Sequence, residues 1–193
     1  MHGKGEIKFT MQAKYWREKI KEKIVLRPWT NEDLPSLLKY ANNPLIAANM
    51  MDTFPHPYTQ ETGKYFIAMA KKDAPPRLLA IDINGEACGG IGIHPQSDIK
   101  RLNAEMGYWL AEQWWGRGII TEAIKRMVVY TFNNFELTRI YACPFGTNIG
   151  SQKALEKAGF VLEGRFEKVY IKNNQLVDEL IYAVRKDYKP NSD

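Results

Sequence analysis

Cysteine, histidine and long hydrophobic runs are all scarce in this sequence of 193 residues. Each of the two cysteines, Cys88 and Cys143, lies in an apolar run that is typical of a strand. They therefore predict buried, unreactive thiols rather than a disulfide framework or a catalytic nucleophile. With only three histidines and no clustered metal ligands, the sequence predicts no metal site.

Segments that would direct the chain to a membrane are also lacking. No run has the length and apolarity of a signal-peptide core or a membrane span, and His2 excludes the myristoylation motif. We therefore expect a cytoplasmic protein without a membrane partner.

The charge balance is mildly basic, with 27 Lys plus Arg against 22 Asp plus Glu and a net charge of +5. The basic residues are scattered, so they fit an anionic cofactor, an RNA or an ordinary solvated surface equally well. No basic and aromatic sheet motif is present, and we expect no direct nucleic-acid partner. The hydrophobic share of 45% is that of a folded globular chain.

Turn residues and hydrophobic periodicity predict the order of strands and helices along the chain. Hairpins are predicted across Asn84-Gly85 and Asn173-Asn174, because these residues favour tight turns. The predicted strands are 23–28, 77–83, 86–94, 102–111, 137–143, 161–172 and 176–186, and the predicted helices begin near residues 30, 59, 119 and 149. Tyr15, Trp16 and Ile20 have helical spacing in an extension, residues 1–22, that precedes a domain at 23–188 and a tail at 189–193.

A turn with two glycines, Gly116 and Gly118, joins a predicted strand to the longest predicted helix. Main-chain N–H groups converge at a helix N-terminus, where the helix dipole favours anions. The turn lacks the lysine of a Walker loop and the third glycine of a dinucleotide fingerprint, so it is neither of these phosphate-binding motifs.

The pattern Q-x-x-G-x-G, formed by Gln113, Gly116 and Gly118, resembles the cofactor loop of the GNAT superfamily of N-acetyltransferases. The segments L-R-P-W, G-Y-W-L and N-I-G-S-Q-K-A-L-E-K-A-G-F are similar to the branch that contains ribosomal-protein N-terminal acetyltransferases. This resemblance extends over residues 23–188. It implies an α/β (α+β) fold in which a mixed, mostly antiparallel sheet carries helices on both faces.

The resemblance also implies which residues contact acetyl-CoA. They are Leu110 and Ala111 along the pantetheine arm, Gln113, Gly116, Arg117, Gly118, Ile119 and Ile120 at the pyrophosphate, Asn148 at the pantetheine and Ser151 near the sulfur. The residues alone permit a second interpretation. The glycines also suit a tight turn without a ligand, and an asparagine followed three residues later by a serine is an ordinary helix start.

Glu105, on the strand before the glycine turn, is the candidate base by this resemblance, although an ordinary ion-paired glutamate would have the same pattern. The tyrosine that protonates the thiolate in many family members is replaced here by Leu155. A leucine has no proton to donate, so Ser151 or Tyr170 is expected to replace it.

The function implied is transfer of acetyl from acetyl-CoA directly to an amine, most readily a protein N-terminal α-amino group. A small amine such as a polyamine or an aminoglycoside is the alternative acceptor, and a non-catalytic CoA-binding regulator is the alternative class. Neither a monomer nor a homodimer is excluded by the sequence.

Overall fold

One mixed sheet organises the protein, for which a computed structural model describes residues 22–186. Its strands are β1 (Ile24–Pro28), β2 (Leu78–Ile83), β3 (Glu86–Pro95), β4 (Asn103–Leu110), β5 (Arg139–Ala142), β6 (Val161–Lys172) and β7 (Gln175–Arg185). They lie in the order β1-β2-β3-β4-β5-β7-β6, and only the β4–β5 pair is parallel. The predicted mixed, mostly antiparallel sheet is confirmed.

The helices are α1 (Leu34–Ala41), α2 (Pro44–Ala47), α3 (Gln60–Ala70), α4 (Ile119–Asn134) and α5 (Ile149–Lys157). Helix α1 packs on β3 and α3, whereas α4 packs on β1, β3 and α5. Seven consecutive residues of β3 are buried, although successive side chains of a strand point to opposite faces. Both faces of the sheet are therefore covered.

The two predicted hairpin turns are confirmed, and their geometry explains the residues found there. Asn84 and Gly85 have φ values of 56° and 96°, and Asn173 and Asn174 have values of 50° and 60°. These left-handed conformations match the twist of the flanking strands, and asparagine and glycine adopt them most readily.

Glycines within β3 allow the neighbouring strand β4 to approach closely. A Cβ atom at Gly89 would lie 2.5 Å from the carbonyl oxygen of Trp109, and one at Gly90 would lie 2.7 Å from the indole nitrogen of the same residue. Both distances are too short for real atoms, so these two positions require glycine.

Two local features differ from the sequence-based prediction. Pro44–Ala47 forms the short helix α2, which the prediction left unassigned, and β5 is shorter than the strand predicted at 137–143. The predicted helix around Tyr15 and Trp16 and the tail at 189–193 lie outside the described residues.

Candidate active site

The central sheet splits between β4 and β5. Their parallel pairing covers only three positions and ends where Glu105 faces Tyr141. Beyond that point β4 continues to Leu110, paired with β3 alone, while β5 stops at Ala142. One edge of residues 106–110 therefore borders a gap, which is part of a cavity of about 810 Å³. This volume is within the range of small-molecule sites.

The two sides of the gap differ chemically because side chains alternate along β4. Glu105 and Tyr108 are three residues apart in a regular stretch of strand, so they point to opposite faces of the sheet. Tyr141 shares the face of Glu105, since the two residues are register partners. The gap thus has a carboxylate on one side and a tyrosine hydroxyl on the other.

The glycine turn borders one end of this cavity. Gly116 and Gly118 have φ values of 73° and 81°, and Gly118 is the N-cap of α4. The first N–H groups of a helix have no partner within it, and no atom lies within 4 Å of a Cβ built on either glycine. Both glycines, Ile119 and Ile120 line the cavity. This end of the cavity therefore fits an anionic group held by main-chain donors.

Three of the predicted cofactor-binding residues do not line the cavity. Ala111 is buried, with its N–H bonded to the Cys88 carbonyl. Gln113 donates from Nε2 to the Tyr40 hydroxyl at 3.2 Å, and Arg117 lies over the Trp114 ring. The side chains of Gln113 and Arg117 therefore support the glycine turn from outside the cavity.

Asn148 and Ser151 lie together at the start of α5 and line the cavity. The side-chain oxygen of Asn148 accepts from the Ser151 N–H at 3.1 Å, so the predicted helix cap is confirmed. The Ser151 hydroxyl also lies 2.7 Å from the hydroxyl of Tyr108. Burial raises the pKa of Tyr108 and exceeds the opposite effect of this hydrogen bond.

Tyr108 is a site residue that sequence reasoning missed. It belongs to the G-Y-W-L segment quoted for the family resemblance, but its contact with Ser151 joins residues 43 positions apart. Only the fold brings them together. Leu155, one turn beyond Ser151 on α5, is fully buried in the core and contributes no hydroxyl.

Two carboxylates influence the opposite side of the gap. The Tyr170 hydroxyl donates to Glu179 at 2.6 Å, and both residues line the cavity with Glu105. Burial, followed by the charges of Glu105 and Glu179, raises the pKa of the Cys143 thiol to about 12. Burial and the hydrogen bond to Glu179 raise the pKa of Tyr170. This side of the cavity is consequently electronegative.

Neither carboxylate forms a salt bridge within residues 22–186. Arg139 is the cation that acts on this region, and it lowers the pKa of Cys143 against the effects above. Its guanidinium is bonded to Glu163 at 3.1 Å and lies 4.7 Å from the centre of the Tyr141 ring. Among the described residues, Glu105 and Glu179 therefore line the cavity without a salt-bridge partner.

The two cysteines have different environments. Cys88 is fully buried as predicted, whereas Cys143 is half-buried and lines the cavity, so the prediction of two buried thiols is corrected for Cys143. Within residues 22–186, no group of three or more potential metal ligands is found, and no helix is long and apolar enough to cross a membrane.

The split sheet and the main-chain donors at one end of the gap suit a ligand that carries an anionic group. Residues 23–161 match the family described as the acetyltransferase (GNAT) domain. The chain therefore belongs to the GNAT acetyltransferase family and is an N-acetyltransferase.

Two bacterial relatives are similar to the chain over different lengths. The chain is 34% identical over 103 residues to "Putative ribosomal N-acetyltransferase YdaF" of Bacillus subtilis, a match covering 53% of this chain and only 56% of that relative. It is 26% identical over 179 residues to the uncharacterized N-acetyltransferase YoaA of the same organism, covering 86% and 94% of the two chains.

Solved structures have the same fold. RimL, a ribosomal L7/L12 alpha-N-protein acetyltransferase solved in complex with coenzyme A, superposes with a TM-score of 0.75. The two sequences are 20% identical, and the match covers 85% of this chain and 94% of RimL. At this identity the likeness demonstrates the fold alone.

Proposed function

We propose that the protein transfers acetyl from acetyl-CoA directly to the N-terminal α-amino group of a protein, in a ternary complex and in the cytoplasm. The observation that carries the proposal is the split between β4 and β5, with a carboxylate on one side and a pair of hydroxyls on the other. An acyl transfer between two substrates needs a proton acceptor for one substrate and a proton donor for the other.

Acetyl-CoA supplies an activated acetyl thioester. In the proposed complex the N–H groups around Gly116, Gly118, Ile119 and Ile120 hold its pyrophosphate. The pantetheine follows the free edge of β4 at Leu110, next to Ala111. Asn148 contributes its amide N–H₂, since its oxygen already caps α5. Gln113 and Arg117 act through the turn that they brace, because their side chains are bonded elsewhere.

Glu105 is the proposed base. An alkylammonium has a pKa near ~10 and an α-ammonium one near ~8, so either acceptor must lose a proton before its nitrogen can attack. The nitrogen forms a bond to the acetyl carbon as the carbon–sulfur bond breaks. The proton from nitrogen passes to the Glu105 carboxylate, directly or through water. The Ser151 hydroxyl gives a proton to the departing sulfur and takes one from water at the same time, so that no alkoxide remains.

Tyr170 is less suitable as the proton donor than Ser151. Its proton is held by the Glu179 carboxylate at 2.6 Å, and burial together with that hydrogen bond raises its pKa. The Tyr170 proton is therefore directed to Glu179 and not to the sulfur of CoA, and this placement, not acidity, favours Ser151. We infer instead that Tyr170 fixes the Glu179 carboxylate, which attracts the positively charged form of the acceptor.

The choice of a protein N-terminus is supported by the names of related proteins, since YdaF and RimL are both named as acting on ribosomal targets. A polyamine is the second candidate acceptor, and a specific observation favours it. Two carboxylates without salt bridges within residues 22–186 suit an acceptor that has more than one positive charge. An aminoglycoside has the same charge property.

A panel of matched amines tests these assignments. Thiol release from acetyl-CoA is measured with a peptide that has a free N-terminus, with the same peptide formylated at its N-terminus, and with spermidine and an aminoglycoside. Turnover with the free peptide alone is expected. Turnover with spermidine would move the acceptor to the polyamine class, and CoA binding without turnover on a wide panel would favour a regulator.

A further inference from the structure

The hydroxyl pair formed by Tyr108 and Ser151 connects the central strand β4 to the first turn of α5. The two oxygens are 2.7 Å apart, and both side chains line the cavity. No other hydrogen bond of either hydroxyl is found within residues 22–186. Each hydroxyl therefore depends on the other for its orientation.

The direction of this hydrogen bond follows from acidity and burial. A phenol is a stronger hydrogen-bond donor than an aliphatic alcohol. Tyr108 stays protonated because its partly buried position opposes formation of the phenolate. Either oxygen could donate at this distance, and the greater acidity of the phenol favours Tyr108 as the donor and Ser151 as the acceptor. The proton of Ser151 is then not used by Tyr108 and is available to a group bound in the cavity.

We propose that Tyr108 is a positioning residue, whose hydroxyl holds the Ser151 oxygen so that the serine proton is directed to the sulfur of CoA. This inference rests on the proposed function, in which Ser151 gives its proton to that sulfur. It also accounts for Leu155, since a tyrosine from the neighbouring strand orients the donor in a site where α5 offers none.

Single-turnover rates of three variants test the proposal. Tyr108→Phe removes only the hydroxyl, and we expect a fall of about tenfold with little change in the affinity for acetyl-CoA, because an oriented donor acts in the transition state. Tyr108→Phe combined with Ser151→Ala should be no slower than Ser151→Ala alone. Multiplying rate losses in the double variant would mean that the two hydroxyls act independently, and would overturn the proposal.

Tyr130→Phe is the matched control. The Tyr130 hydroxyl donates to the Pro76 carbonyl at 2.9 Å and lies outside the cavity, so this variant also loses one partly buried tyrosine hydrogen bond. Its thermal stability should fall while its rate stays at the parental value. If Tyr108→Phe behaves in the same way, Tyr108 only supports the fold.

A binding measurement tests the inference without any turnover. CoA and desulfo-CoA differ only at the sulfur, so the ratio of their affinities reports the contact with Ser151. In the parent protein this ratio should favour CoA increasingly as pH rises and the thiolate forms. It should be nearly independent of pH in Tyr108→Phe and in Ser151→Ala, a variant that leaves β4 unaltered.

The two measurements distinguish a failure of the proposed function from a failure of the positioning role. Failure to acetylate any amine on the panel would contradict the proposed function. The ratio of the affinities for CoA and desulfo-CoA would still decide whether Tyr108 and Ser151 interact with the sulfur. A ratio that keeps its pH dependence in both variants overturns the positioning role even where acetyl transfer is demonstrated.

Discussion

Glu105 and Glu179 influence the same side of the cavity, but their surroundings differ. Glu179 accepts a hydrogen bond from Tyr170, whereas Glu105 has no side-chain hydrogen bond or salt bridge within residues 22–186. A carboxylate that is free of such bonds is the better proton acceptor, because hydrogen bonds to a carboxylate stabilise its charged form. The proposed function accordingly assigns proton acceptance to Glu105 and attraction of the charged acceptor to Glu179.

Replacing Glu105 by glutamine tests its role as the base. Glu105→Gln keeps the shape and removes the basicity, so turnover should fall by ~10²-fold or more and recover partly at high pH, where more of the amine is neutral. Glu136→Gln is the control, since Glu136 is exposed and lies outside the cavity. A parental pH profile in Glu105→Gln would assign the base to another group.

The alkylation rate of Cys143 measures how burial and the nearby carboxylates affect its thiol. Its pKa of about 12 exceeds the ordinary value near ~8.5, so the thiolate is rare at pH 8 and alkylation should be at least ~10²-fold slower than that of free cysteine. The rate should still rise above pH 9. Neutralising one carboxylate, as in Glu179→Gln, lowers the pKa and should accelerate the reaction, whereas Glu136→Gln should not.

Peptide mass spectrometry distinguishes the two cysteines in this experiment. Cys88 is fully buried and should stay unmodified in the folded protein, so its alkylation would reveal unfolding. A rate for Cys143 that levels off near pH 8 would contradict the raised pKa.

At the scale of elements, the glycine turn can be tested by a pair of isosteric substitutions. Gly118→Asp and Gly118→Asn place side chains of equal size on a backbone with φ of 81°, and neither meets an atom within 4 Å of its Cβ. Asparagine tolerates this conformation and has no charge. Calorimetry should therefore find acetyl-CoA binding weakened far more by aspartate, because its charge repels the pyrophosphate.

The comparison of the two variants separates charge from strain. Equal losses for aspartate and asparagine would assign the defect to the backbone, and unchanged affinity in both would remove the turn from the cofactor site. Circular dichroism on each variant checks that α4 remains folded.

Elements that depend on local residue chemistry were predictable from the sequence. The hairpin at Asn84-Gly85 and the cap at Asn148 follow from conformations that few residues favour, and both were predicted. The bond between Tyr108 and Ser151 was not, because no pattern in the sequence encodes a contact across 43 positions. The outward direction of Gln113 was missed for the same reason, since its partner, Tyr40, lies on α1.

At the scale of the whole molecule, Arg27 joins three parts of the fold. Its guanidinium donates to both oxygens of Asp33 and to Asp82, each at 2.7 Å, and both aspartates are over 90% buried, with exposures of 6% and 7%. Burial opposes the ionisation of Asp33, but bonds from Arg27 and from the Thr30 N–H outweigh it and lower its pKa. The network fixes β1 to β2 and to the turn before α1.

Arg27→Met should therefore destabilise the protein by about 3 kcal/mol at pH 7, because it leaves two buried carboxylates without their cationic partner. A lowered folded-state pKa contributes stability that is present above the unfolded value of ~3.9 and is lost as pH falls through the folded value. The loss of stability should consequently be smaller at pH 2, below the unfolded value, than at pH 7. Urea unfolding at both pH values measures it, with Arg77→Met, from an exposed pair, as the control.

An equal loss for Arg27→Met at pH 7 and pH 2 would contradict this account, because protonated carboxyls no longer need the guanidinium. A loss as large in Arg77→Met would mean that any removed arginine destabilises the fold. Surface pairs usually contribute less than ~1 kcal/mol, so the control should change little.

Residues 106–110 of β4 have no pairing strand on one side, so the interior of the sheet contains a gap. In the proposed complex the pantetheine occupies that place, so the ligand completes the fold as well as serving the reaction. A ligand at 100 times its Kd adds about 2.7 kcal/mol to stability, and saturating CoA should slow digestion of the native protein by a protease. The lifetime of the enzyme in a cell would then follow the supply of acetyl-CoA, so that a starved cell loses the protein as well as its co-substrate.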